Sequence, residues 1–128
     1  MHSMDKKVSH WLPFIAYLGF IYFLSTRPKP IPLDIPNIPM DFSFLHIIEF
    51  FILAFLLLRI FYAHKIKYEF ILTILLITLL GIIDEVIQGY ISGRTSSLID
   101  AGLDFIGASL VLIFKNKKLS NILSHKNK

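Results

Sequence analysis

The sequence predicts an all-α integral membrane protein, a four-helix bundle with both termini on the cytoplasmic side (N-in/C-in). Three observations carry this expectation. First, the 128 residues are 55% hydrophobic and only 17% charged, with a mean hydropathy of +0.65, whereas soluble domains average about 45–50% apolar and about 25% charged residues. Second, the apolar residues gather in four runs. At about 20 residues per spanning helix, the chain has room for four crossings with short connections, as one membrane domain over residues 1–128. Third, Lys and Arg fall in clusters between those runs, the pattern of cytoplasmic anchoring. A nucleic-acid partner requires a single basic face instead, so none is expected despite the net charge of +4. The 12 Phe and 5 Tyr exclude a disordered chain. With no Cys, disulfides, thiolate metal sites and cysteine nucleophiles are excluded together.

The first helix is expected over about 8–24. Lys6 and Lys7 precede it, Trp11 stands where an indole sits at a membrane interface, and Pro13 falls in its first turns, where proline is tolerated. No small-residue cleavage site follows before Arg27, so the run reads as a retained helix rather than a signal peptide. Pro28, Pro30, Pro32, Pro36 and Pro39 then hold an extended, polyproline-like loop of restricted flexibility. The second helix, about 42–62, carries His46 and Glu49 in its first two turns. After His64, Lys65 and Lys67, the third, about 69–90, is almost wholly Ile and Leu until Gly81, where Asp84, Glu85 and Gln88 interrupt it. A polar turn, Ser92 to Ser97, leads into the fourth, about 98–114, which contains Asp100 and Asp104. Two carboxylates cost that segment several kcal/mol of insertion free energy, so it is expected to enter by packing on its neighbours. Residues 115–128 form a basic tail.

Orientation follows from the basic residues. Lys6, Lys7, Lys65, Lys67 and the five tail lysines Lys115, Lys117, Lys118, Lys126 and Lys128 stand against Arg27, Lys29 and Arg94 in the other two connections. The termini and the middle loop are therefore expected in the cytoplasm, with the proline loop and the Arg94 turn outside.

In that arrangement every awkward polar residue falls in the outer half of the membrane. Gly81, Asp84, Glu85 and Gln88 lie within about 100° of arc on the third helix. Asp100, Asp104, Gly107 and Ala108 share a face of the fourth, where small residues permit close approach. His46 and Glu49 are neighbours on the second. Ionisable groups in a spanning segment avoid lipid, so the three faces are expected to meet in an outward-opening acidic pocket. Its ligand-binding candidates are His46, Glu49, Asp84, Glu85, Gln88, Arg94, Asp100 and Asp104. Five carboxylates so close either carry protons or bind a cation. Asp84, Glu85, Asp100 and Asp104 are the candidate metal ligands, with oxygen donors suited to Mg²⁺, Ca²⁺ or Mn²⁺, and one imidazole would also suit Zn²⁺.

Each feature has a plainer reading. Asp84, Glu85 and Gln88 fit a solvated helix end, and Asp100 fits a cap favoured by the helix dipole. Arg94 is expected first to pair with the carboxylates and hold the outer turn; the alternative is that it grips a phosphate or carboxylate ligand bidentately. His46 with Glu49 fits an acid/base or metal pair as well as a hydrogen-bonded structural histidine.

Three segments resemble the VanZ-like family of small bacterial membrane proteins, named for a factor associated with resistance to the glycopeptide teicoplanin. Tyr22-Phe23-Leu24-Ser25-Thr26-Arg27-Pro28 is similar to the family's Phe-x-Leu-Ser-Ser-x-Pro end to its first helix. Phe44 to Leu53, with His46 and Glu49, is similar to its Lys-x-x-His-x-x-Glu-Tyr-x-x-Leu stretch, with Ser43 where lysine is usual. Asp84-Glu85-Val86-Ile87-Gln88, then Gly93-Arg94, then Asp100, Asp104 and Gly107, resembles its Asp-Glu-x-x-Gln, Pro-Gly-Arg and Asp-x-x-x-Asn/Asp-x-x-Gly signature, with Ser92 in place of the proline. The likeness covers roughly residues 11 to 114. It implies a four-helix protein of the bacterial cell membrane and a link to teicoplanin; it supplies no reaction.

Three functions follow as expectations. The protein binds or masks an envelope or lipid-linked ligand, such as a lipid-linked cell-wall precursor or the glycopeptide itself. Alternatively, it is a membrane enzyme with a divalent-metal carboxylate site and His46, Glu49 or Glu85 as catalytic candidates, although the chain has no nucleophile–base pair and no HExxH arrangement. In the third, it moves protons or ions through the acidic pocket. Oligomeric state is left open.

Overall fold

Within each apolar run the residues that pack together recur three and four apart, which gives every helix one stripe to bury against its neighbours. The computed structural model describes residues 2–27, 44–91 and 98–115. Among them the chain is wholly helical: α1 is His2–Ser25, α2 Phe44–Ala63, α3 Glu69–Gly89 and α4 Leu98–Ser109, which continues as a 3₁₀ helix, Leu110–Lys115. The proline loop, the turn that carries Arg94 and the basic tail lie outside the described residues. Three helices are long and apolar enough to cross a membrane, over Lys6–Ser25, Phe44–Ala63 and Glu69–Gly89.

α1 begins well before the expected Val8, because nothing in the polar segment from His2 to Lys7 breaks a helix. Pro13 consequently sits inside the helix and not in its first turns. There its ring removes the hydrogen bond that the Ser9 carbonyl would otherwise accept. The buried stripe of α1 runs through Phe14, Ile21 and Ser25, with Tyr17 and Leu18 beside it.

α2 is the central helix. It packs against α1, α3 and α4, whereas α1 and α4 do not meet among the described residues. Its stripe, Phe50, Leu53, Ala54, Leu57, Leu58 and Ile60, is buried throughout. The helix ends in a Schellman motif: the Ile66 amide donates to the Phe61 carbonyl at 2.9 Å and the Lys65 amide to the Tyr62 carbonyl at 3.2 Å. Lys65, in the left-handed position where glycine is usual, has φ 55°. α3 starts with Glu69, a carboxylate at the positive end of its dipole.

The fourth segment is the shortest. In the last turn of α4, Ser109 Oγ donates to the Phe105 carbonyl at 2.8 Å. Such back-bonding competes with the backbone ladder, and the tighter 3₁₀ form takes over at Leu110. Twelve α-helical and six 3₁₀ residues, at about 1.5 and about 2.0 Å each, reach about 30 Å.

The contacts set helix direction. Trp11 Nε1 donates to His64 Nε2 at 3.1 Å, joining the start of α1 to the end of α2. The Tyr22 hydroxyl donates to the Leu80 carbonyl at 3.0 Å, which ties the second half of α1 to that of α3. One end of the bundle therefore gathers the last turns of α1 and α3 with the first turns of α2 and α4. The outer surface is coated with large apolar side chains, among them Leu12, Ile15, Phe20, Leu75, Leu79 and Phe105.

Candidate polar site

The buried stripe of α3 changes character halfway along. Phe70, Thr73 and Ile77 give way to Gly81, Asp84, Glu85 and Gln88, all buried. On α4 the buried residues are Asp104, Gly107 and Ala108. Glycine is what lets these helices approach: a Cβ at Gly107 would come 2.5 Å from the Ile47 carbonyl oxygen on α2, and one at Gly81 would come 2.9 Å from the Asp104 Cβ. Backbone contact this close carries the Asp104 carboxylate into the junction of three helices.

His46 meets it from α2. Its Nδ1 lies 3.0 Å from Asp104 Oδ1, and its Nε2 lies 3.9 Å from Asp100 Oδ2. Asp104 is fully buried and Glu85 is 4% exposed. One donor atom each from His46, Glu85 and Asp104 lies within 4.8 Å of the others, a spacing that an ion can bridge. Asp104 Oδ2, buried, has no hydrogen-bond partner among the described residues. An imidazole and two carboxylates held in this way can exchange a proton, hold a divalent ion, or bind a cationic or hydroxyl-bearing ligand.

The other sequence candidates take up positions around this core. Asp84 is fastened to its own helix, with Gln88 Nε2 donating to Asp84 Oδ2 at 2.9 Å and lying 3.5 Å from Ser25 Oγ on α1. Asp100 lies inside the first turn of α4, near the positive end of its dipole. Glu49 is half-buried, and its backbone carbonyl accepts a hydrogen bond from the Tyr17 hydroxyl at 3.2 Å. Of the four residues expected to hold a metal, Glu85 and Asp104 belong to the metal-spaced group, and Asp84 and Asp100 fall outside it. Arg94 lies outside the described residues.

α1 also reaches the polar end. Tyr22 and Ser25 lie in the segment Tyr22 to Pro28 that the sequence already singles out, whereas Tyr17, four residues before the core residue Ile21, carries no such signal. Arg59, half-buried toward the end of α2, has no place in the sequence expectation.

Fold and site together define a class: a small protein, all-helical among the described residues, with three of those helices able to cross a membrane and a polar cluster at one end of the bundle. No family model matches the chain, and no curated protein or solved structure does so either.

Proposed function

We propose that this is a multi-pass protein of the bacterial cell membrane, both termini cytoplasmic, that binds or masks an envelope or lipid-linked ligand through an outward-facing polar pocket and thereby lowers sensitivity to a glycopeptide such as teicoplanin. One observation carries the reading. The cluster grades from the fully buried Asp104 to His46 and Asp100, whose side chains are 19% and 21% exposed, so it is reached from the end where α2 and α4 begin. The apolar coat supports a lipid surround, since an exposed apolar surface this extensive is a liability in water. The roughly 30 Å reach of α4 with its 3₁₀ continuation matches the hydrocarbon thickness and supports a fourth crossing. Arg59 adds a positive charge at the end of the bundle that carries Lys65 and Lys67, in keeping with a cytoplasmic placement of that end. The link to teicoplanin rests on the resemblance of the Ser25, His46–Glu49 and Asp84–Asp104 segments to the VanZ-like family.

The membrane-enzyme reading is favoured by the spacing of His46, Glu85 and Asp104 alone. Ion movement has less support. Between the cluster and the opposite end of the bundle, the buried core among the described residues is apolar except for the hydroxyls of Thr73 and Thr78.

The test is expression in a teicoplanin-susceptible host. Wild type is expected to raise the inhibitory concentration, and Asp104→Asn and Arg94→Ala to abolish the rise. A wild-type chain that inserts in the membrane and leaves the inhibitory concentration unchanged rejects the proposal.

A further inference from the structure

We infer that His46, Glu85 and Asp104 form a site for a single divalent transition-type ion, Zn²⁺ or Mn²⁺, with Asp100 positioning the imidazole. The three donors come from three helices, α2, α3 and α4, and lie within 4.8 Å of one another. In a tetrahedral zinc site, bonds of about 2.0–2.1 Å separate adjacent ligands by about 3.3 Å. His46 Nδ1 and Asp104 Oδ1, hydrogen-bonded at 3.0 Å, would separate slightly as an ion replaces the proton they share. The remaining closure falls to Glu85, whose three side-chain torsions make it the most adaptable of the three.

A second observation points to the same ligand. Asp104 Oδ2 is buried, has no hydrogen-bond partner among the described residues, and lies against α3 at Gly81, one turn before Glu85. A buried carboxylate oxygen with no donor is costly, and a cation bridging Asp104 to Glu85 would satisfy it.

The donor set selects the ion. Mg²⁺ and Ca²⁺ prefer an all-oxygen shell, whereas one imidazole with two carboxylates suits Zn²⁺ or Mn²⁺. When Nδ1 ligates, Nε2 keeps its proton and faces Asp100 Oδ2, at 3.9 Å, in the carboxylate–histidine–metal order that fixes ring orientation. Three protein ligands leave a coordination position free on the side of the partly exposed His46 and Asp100. Water or an oxygen of the proposed ligand would take that position. The metal site itself does not depend on the proposed envelope ligand, and only this last step rests on that reading.

The full-length chain, purified in detergent without a polyhistidine tag and stripped with EDTA, is titrated with Zn²⁺, Mn²⁺, Mg²⁺ and Ca²⁺ by calorimetry. One equivalent of Zn²⁺ or Mn²⁺ per chain is expected, with Mg²⁺ and Ca²⁺ at least tenfold weaker. Glu85→Gln and Asp104→Asn should each weaken Zn²⁺ binding at least tenfold, and Glu69→Gln, at the opposite end of α3, should leave it unchanged. Because Asp104→Asn alters the core, thermal melting provides a second reading on the wild type alone: saturating Zn²⁺ should raise its melting temperature, as any ligand selective for the folded state does. Sub-stoichiometric binding to the folded wild type overturns the inference. So does binding that survives Glu85→Gln unchanged, or Ca²⁺ binding as tight as Zn²⁺. A chain that binds Zn²⁺ as described and yet confers no change in teicoplanin susceptibility keeps the metal site and loses only the proposed function.

Discussion

His46 on α2 and Asp104 on α4 stand 58 residues apart in sequence and 3.0 Å apart in space, joined from Nδ1 to Oδ1 at the polar end of the bundle. The contact ties the central helix to the shortest one. Removing the imidazole strands a carboxylate that is fully buried, and breaking a buried pair costs about 3–5 kcal/mol. With His46 itself 19% exposed, His46→Ala is expected near the lower end of that range. A double-mutant cycle with Asp104→Ala, read by denaturation in detergent, should return a coupling of about 1–3 kcal/mol. Additive single effects would mean that the pair does not hold the helices together.

The glycines make a graded set. Gly107→Ala places a Cβ 2.5 Å from the Ile47 backbone oxygen, which cannot move without shifting α2. Gly81→Ala meets the Asp104 side chain at 2.9 Å, and Gly102→Ala meets nothing within 4 Å. The first two should destabilise by about 1–3 kcal/mol, Gly107→Ala the more. Gly102→Ala should stabilise by up to about 1 kcal/mol through helix propensity. Melting temperatures in one detergent check the order.

Much of this packing was legible in the sequence. Gly81, Asp84, Glu85 and Gln88 share a face because helical spacing allows no other arrangement, and all four are buried. The choice of partner was not legible. Glu49 is the near neighbour of His46 in sequence, yet the 3.0 Å contact is with Asp104, because Gly107 brings α4 against Ile47 and that approach depends on three helices at once. The partners of Tyr17, Tyr22 and Ser25 were not legible for a related reason. Their hydroxyls bond a backbone carbonyl or a glutamine amide on other helices, and such partners carry no residue-type signal. Pro13 lies deeper in α1 than the apolar run implies, because the polar segment that precedes the run is helical as well. The 3₁₀ ending of α4 begins just after Ser109, whose hydroxyl bonds the Phe105 carbonyl, a signal too local for hydrophobic periodicity to register.

The Schellman end of α2 offers a test free of the polar cluster. Lys65 is exposed and holds φ at 55°, a conformation that costs an L-residue roughly 1–2 kcal/mol relative to glycine. Lys65→Gly should therefore stabilise the protein by about 0.5–1 kcal/mol, because glycine's greater freedom in the unfolded chain offsets part of the gain. A lower melting temperature would show that the lysine side chain itself supports the connection between α2 and α3.

The central claim is that the polar cluster opens at the outer face of the membrane. Since the chain has no cysteine, single cysteines report sidedness directly. Leu98, 92% exposed at the start of α4, marks the cluster end, and the exposed Lys67 marks the opposite one. In intact cells, a membrane-impermeant maleimide should label Leu98→Cys at once and Lys67→Cys only after permeabilisation. The reverse pattern would place the cluster on the cytoplasmic side and contradict an outward-facing ligand site.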